Sequence, residues 1–186
     1  MINLNEPYYT LSPQQLIECN SASNGCDGGK TITAYNYVYE IGGIEQESDY
    51  PYTSYYGTSS LCKAVSSKFK IQVNKFVQIV RFDNDKNDTI EVAMRSYLFN
   101  DGPLSVEVDA SDWDSYTGGI KSTCGDDETN HAAQVVGIFT GDDNGYYKIR
   151  NSWGTSWGES GYMYLGYKKN LCLIATAPIW TEVEKY

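Results

Sequence analysis

The 186-residue sequence is poor in basic side chains and carries a single histidine. Lys and Arg number 14 against 24 Asp and Glu, a formal net charge of −10. That balance excludes a protein that neutralises a nucleic-acid backbone or binds an anionic membrane surface. Long apolar runs are also missing. The smoothest stretch, residues 132–139, is interrupted by Gln134 and Gly137 and is too short to span a bilayer. The opening MINLNEPYYTLS has neither a basic cluster nor an apolar core, so no secretory leader is read there. With one histidine and no CxxC pair, a zinc site of the usual ligand spacing is not expected, and neither is a cofactor. Repeats and low-complexity segments are absent from the sequence. What is present is a 41% hydrophobic and 14% aromatic composition, far too high for disorder, on a chain long enough to bury a core.

The five cysteines are Cys19, Cys26, Cys62, Cys124 and Cys172. They allow two disulfides with one thiol left over, which implies an oxidising compartment, either secreted or the endolysosomal lumen. Asn87-Asp88-Thr89 is a glycosylation sequon compatible with that setting.

Periodicity predicts helices in the first half and strands in the second. Ser12-Pro13-Gln14-Gln15 offers an N-cap, a proline at the first helical position and a capping-box glutamine, opening a helix through Ile17. Residues 31–40 place Ala34, Tyr35, Val38 and Tyr39 on one helical face, stopped by Gly42-Gly43. A third helix is predicted over 89–99, ending before Asp101-Gly102-Pro103. Leu104, Val106 and Val108 then alternate with polar residues, as in a half-buried strand. Residues 132–139 and 146–150 flank Gly141-Asp142-Asp143-Asn144-Gly145, a strong hairpin signal. Strands are also expected over 161–167 and 173–180. The composition shift near Asp101 predicts an α+β protein with a helical lobe, 1–100, and an antiparallel β lobe, 101–186.

Any imidazole chemistry near neutral pH must use His131. The histidine opens one predicted strand, and Asn151 follows the next. A hairpin would set these strands side by side and bring the amide oxygen of Asn151 against the ring. The amide would then hold its tautomer and aim the other nitrogen at a nucleophile. Nearby tryptophans would shield that bond from water. On spacing alone, a lone histidine such as His131 is more often structural than catalytic.

Several motifs fall together in order. Leu11-Ser12-Pro13-Gln14-Gln15-Leu16-Ile17-Glu18-Cys19 precedes Gly25-Cys26-Asp27-Gly28-Gly29 and Tyr50-Pro51-Tyr52. Gly102-Pro103-Leu104-Ser105-Val106, Asn130-His131-Ala132 and Asn151-Ser152-Trp153-Gly154-Thr155-Ser156-Trp157-Gly158-Glu159-Ser160-Gly161-Tyr162 follow. From about Leu11 to Trp180 the chain resembles the papain-like, cathepsin-like cysteine peptidases. The resemblance implies a two-lobe papain-like fold and peptide-bond hydrolysis through a Cys-His-Asn triad. It implies His131 as the base, Asn151 as its orienting partner and Trp153 as the cover over their bond. Gly28 and Gly29 are implied to line the substrate cleft, where the lack of side chains lets a peptide backbone approach. Ala132, Glu107 and Ala177 fall where the family's main side-chain pocket is walled. The implied disulfides are Cys19–Cys62 and Cys124–Cys172, with Cys26 unpaired.

The same resemblance exposes departures. The family's nucleophile sits on a central helix in a Gly-Ser-Cys-Trp-type motif upstream of the Leu-Ser-x-Gln segment, beyond the oxyanion-hole glutamine. Only ten residues precede Leu11, and none is a cysteine. The expectation is a peptidase-family chain inactive as these 186 residues, either a binding or structural pseudo-peptidase or an incomplete chain of an active enzyme. Cys26 would pair with a cysteine on the missing segment. The resemblance places Cys26 away from the histidine, as a half-buried thiol. Removing the central helix would expose apolar surface worth roughly 25 cal/mol per Å². Either a missing segment or a partner chain is therefore expected to cover the groove, with a peptide or protein as ligand. Lys30 stands where the family usually has an apolar residue, Glu107 puts a carboxylate in a small apolar position, and Leu173 replaces a glycine.

Overall fold

The computed structural model describes residues 8–80, 87–125, 127–141, 145–167 and 169–185, with the backbone alone for 87–89. The chain divides into two compact units, one comprising Met1–Phe76 with Thr181–Tyr186 and the other Val77–Trp180. The division therefore falls at 76/77, not at 100/101 where the composition shifts. Composition tracks local periodicity, whereas the third helix joins the unit against which its apolar face packs.

In the first unit, Ser12 caps helix α1, Pro13–Cys19, by accepting the Gln15 N–H at 3.1 Å, with proline at the first position. The capping-box expectation fails for the glutamine. Gln15 is fully buried and turns away to accept the backbone N–H of Glu45 at 2.8 Å. The Ser12 N–H donates instead to the Glu45 carbonyl. Serving strand β1, Ile44–Glu45, satisfies a buried backbone N–H. Helix α2, Thr31–Ile41, ends at Gly42 in the left-handed region, φ 86°. Its inward side is Tyr35, Tyr37 and Val38, packed with Ile44 and Val73, whereas Tyr39 is exposed. Gly43 is required because a Cβ there would lie 2.8 Å from the Phe69 side chain.

Strand β2, Phe69–Gln78, pairs antiparallel with β1 and was not expected in a half read as helical. Its first residues alternate Phe69, Ile71 and Val73 with Lys70, Gln72 and Asn74, a period-2 signal in plain view. A disulfide joins Cys19 to Cys62, Cα to Cα 4.7 Å. Residues from Thr181 onward complete this unit, with the Thr181 hydroxyl donating to the Lys75 carbonyl at 3.3 Å.

The second unit contains helix α3, Asn87–Asn100, and strands β3 Leu104–Val108, β4 Ile120–Lys121, β5 His131–Phe139, β6 Tyr146–Arg150 and β7 Tyr162–Gly166. They lie in the order β3-β5-β6-β7-β4, antiparallel except for β4 against β7. The β5–β6 hairpin forms, with Phe139 opposite Tyr146 and Gln134 opposite Arg150. Turn residues 142–144 lie outside the described residues, as do the side chains of the Asn87 sequon. Met94 of α3 packs with Leu104, Val106, Val135, Ile149, Met163 and Leu165 in one core, all without solvent exposure.

The strand expected over 173–180 is displaced. Leu171–Leu173 is a 3₁₀ turn, and the last strand, β8, Ile179–Lys185, begins six residues later. The reason is local: Asn170, Cys172 and Leu173 adopt φ of 46°, 52° and 60°, a left-handed geometry incompatible with a strand. Leu173 thus occupies a glycine-like conformation. Ser160, exposed with φ 58°, stores similar strain without burying a side chain. Relief of left-handed strain by Ser160→Gly exceeds the added unfolded-state entropy, so stability is expected to rise by about 0.5–1 kcal/mol in urea titration.

Candidate active site

His131 is the first residue of β5 and pairs with Val108 across the ladder. Asn151 follows β6 by one residue, its N–H donating to the Gly161 carbonyl at 3.0 Å. The hairpin brings His131 Nε2 and Asn151 Oδ1 to 2.8 Å. That amide oxygen also accepts the Ser152 backbone N–H at 2.7 Å. Since a backbone N–H only donates, the atom facing both groups is oxygen. Nε2 must therefore carry a proton, which leaves the lone pair of the neutral ring on Nδ1. Asn151 is buried, and its Nδ2 has no hydrogen-bond partner among the described residues. The side chain is held by its oxygen alone.

Aromatic rings enclose this bond. Trp153 lies 5.0 Å from the imidazole centroid and is 37% exposed, a cover facing solvent. Beneath is Trp113, fully buried, edge-on to His131 at 6.0 Å and stacked on Trp157 at 6.2 Å. The Trp157 indole N–H donates to the Trp113 carbonyl at 3.1 Å, and that of Trp113 donates to Cys172 Sγ at 3.3 Å. Excluding water on both sides strengthens the imidazole–amide bond. The turn after Asn151 depends on glycine at 158, where φ is 52° and a Cβ would lie 2.6 Å from the Tyr162 carbonyl oxygen. Cys124 and Cys172 are joined by a disulfide, Cα to Cα 5.1 Å.

Sequence reasoning missed Trp113 and a polar knot next to the histidine. Asp109, just past β3, accepts from the Ser111 N–H, the Asp127 N–H and the Asn130 amide. Bonds from Ser111, then from Asp127, hold its carboxyl down to about 2. The only sequence signal was a local one, the Asp-x-Ser spacing of a side-chain-stabilised turn.

The remaining expected residues divide by unit. Ala132 is exposed and stands directly opposite the half-buried Glu107, so the two share one face. Half-buried Ala177 is two residues before Ile179, the partner of Ser105. Gly28 and Gly29 are exposed in the first unit, and both have conformational reasons to be glycine. Gly28 has φ 101°, and a Cβ on Gly29 would lie 2.5 Å from Ser23 Oγ. Lys30 is exposed, and Cys26 is a free thiol, exposed where a half-buried one was expected. Among the described residues no group of three or more His, Cys, Asp or Glu is arranged to hold a metal ion. None of their helices is long and apolar enough to cross a membrane.

The signature of the papain family cysteine proteases matches residues 1–181. The chain belongs to that family. It is 36% identical over 162 residues to a viral cathepsin of Adoxophyes honmai nucleopolyhedrovirus, covering 87% of this chain and 45% of the relative. It is 34% identical over 179 residues to cysteine proteinase 1 of Dictyostelium discoideum, covering 88% and 49%. Digestive procathepsin L2 proteinase from Tenebrio molitor larval midgut superposes with TM-score 0.83 at 29% identity, over 94% of this chain and 54% of that one. Procathepsin L 3 of the same tissue gives 0.80 at 32%, over 94% and 56%. The fold is therefore papain-like, α+β, and this papain-family chain spans about half the length of the curated relatives it matches.

Proposed function

We propose that these 186 residues, by themselves, form a papain-type scaffold that binds a peptide or protein and does not hydrolyse it. The observation that carries this reading is the His131–Asn151 pair, set for proton transfer in a unit whose cysteines leave no free thiol. A general base accelerates hydrolysis only through a nucleophile or water placed against it. The cysteines of this unit, Cys124 and Cys172, are bonded to each other. In this reading Gly28 and Gly29 receive an extended peptide backbone, and Ala132, Glu107 and Ala177 receive a side chain. The carboxylate of Glu107 favours a basic one. The disulfides fit a secreted or endolysosomal protein.

A second reading has its own support. The proton on Nε2 leaves the Nδ1 lone pair available, as an active base requires. In that reading the same residues are the His-Asn half of a Cys-His-Asn endopeptidase, completed by a thiol outside the 186.

A panel of fluorogenic peptides under mildly acidic, reducing conditions, run beside an epoxide thiol trap and intact-mass measurement, separates the two. The expected result for the 186-residue chain is no turnover above a His131→Ala control, with arginine-containing peptides binding more tightly than leucine counterparts. Turnover with an epoxide-labelled Cys26 overturns the binding reading. Native material heavier than 20.8 kDa, active and labelled outside these residues, establishes the second.

A further inference from the structure

The base of the site is held in place by its neighbour in sequence, and that neighbour is held by Asp109. Asn130 is fixed to the chain leaving β3 through backbone and side chain alike. Its N–H donates to the Val108 carbonyl at 2.9 Å, and its Oδ1 accepts the Ala110 N–H at 2.9 Å. Its Nδ2 donates to Ser111 Oγ at 2.9 Å and to Asp109 Oδ1 at 3.2 Å. Asp109, 1% exposed, is anchored in turn. Oδ1 accepts the Ser111 N–H at 2.9 Å, Oδ2 accepts the Asp127 N–H at 3.1 Å, and the Asp109 N–H donates to the Cys172 carbonyl at 2.9 Å. The loop passes so close that a Cβ on Gly125 would lie 3.0 Å from Oδ2. The carboxylate is thus the common acceptor for both sides of the segment that delivers His131.

Among the described residues the imidazole has one hydrogen bond, to Asn151. Rings flank it but do not fix its reach along the bond direction. A 2.8 Å contact tolerates displacements of only a few tenths of an ångström before it weakens, so the backbone at 130–131 must be equally well defined.

We propose that Asp109 is a positioning residue for His131, acting through Asn130 to hold the backbone from which the imidazole reaches Asn151. The proposal rests on the reading of His131 as a base. A carboxylate suits the role because it accepts on both oxygens and never donates. Asparagine of the same shape would turn an N–H donor towards the Asp127 or the Ser111 donors. With its carboxyl held down to about 2, Asp109 stays ionised under all working conditions, and its bonds are charge-assisted.

Because His131 is the only histidine, ¹⁵N-histidine labelling gives one pair of imidazole nitrogens. Long-range ¹H–¹⁵N spectra of the full 186-residue chain report which nitrogen carries the proton, and saturation transfer reports how fast that proton exchanges. The wild-type protein is expected to show a single tautomer, protonated at Nε2. In Asp109→Asn, with backbone dispersion retained, a tautomer mixture is expected, with Nε2–H exchange about tenfold faster, the change that follows from weakening one charge-assisted bond. Asn130→Ala leaves the bonds of Asp109 to Ser111 and Asp127 in place and should give the same signature. A folded Asp109→Asn protein with wild-type imidazole spectra overturns the proposal and leaves the base reading intact. If that variant does not fold, Asn130→Ala decides: unchanged His131 spectra overturn the proposal, and a mixed tautomer supports it. A wild-type ring without the Nε2 proton overturns the base reading itself.

Discussion

Trp113→Ala is expected to lower the unfolding free energy by about 3–5 kcal/mol, the range for removing a large aromatic from a packed core. Trp113 has no solvent exposure, and its ring is the common floor for His131, Trp153 and Trp157. Its loss removes dispersion contacts on several sides at once, and the Cys172 sulfur loses its N–H partner. Collapse of the neighbours into the gap would drag Trp157, whose indole N–H is tied to the Trp113 backbone, away from its stack. Trp113→Phe keeps a ring in place and loses the N–H bond and some volume, so it should cost about 1–2 kcal/mol. Urea denaturation followed by tryptophan fluorescence measures both. A cost below about 1 kcal/mol for the alanine variant would mean that the indole is not packed as described.

The second large effect concerns the Cys124–Cys172 disulfide. It spans 48 residues of sequence, and closing a loop of that length restricts the unfolded chain by about 4 kcal/mol. The double variant Cys124→Ala, Cys172→Ala is expected to lose that amount, seen as a lower urea midpoint with a steeper slope as the unfolded chain expands. Cys19–Cys62 spans 43 residues, so its entropic contribution is nearly the same. Its removal should nevertheless cost less, because Cys62 is exposed whereas Cys172 is fully buried against Trp113. Equal losses for the two pairs would leave chain entropy as the whole effect.

Much of the site was readable in the sequence because hairpins are local. Alternation over 132–139 and 146–150, with a glycine- and aspartate-rich turn between, is enough to predict that residues 131 and 151 meet. The lone histidine then narrows the chemistry. Trp113 was not readable, since Asp-Trp-Asp in a loop carries no sign that its ring passes beneath a histidine 18 positions later. Asp109 was opaque for the same reason, its partner Asn130 being 21 positions on. Errors in the fold had different causes. β2 alternates cleanly over residues 69–74, but it is a lone strand signal in a half whose longer periodic segments are helical. The strand expected over 173–180 opens on Leu173 in a left-handed backbone, and β8 begins only at Ile179. Apolarity without a period cannot separate a buried turn from a buried strand.

The allocation of β8 bears on how the chain is made. Its first residues, Ile179 and Trp180, belong to the second unit, and Thr181 onward to the first. Emerging from the ribosome, the second unit has all its segments once Trp180 has left the exit tunnel. The first unit, begun earlier, waits with β2 uncompleted until the residues after it appear. Domains commonly fold from the N-terminal end during synthesis. Here the earlier-made unit is the later to finish, and the edge of β2 stays open while residues 79–180 are made.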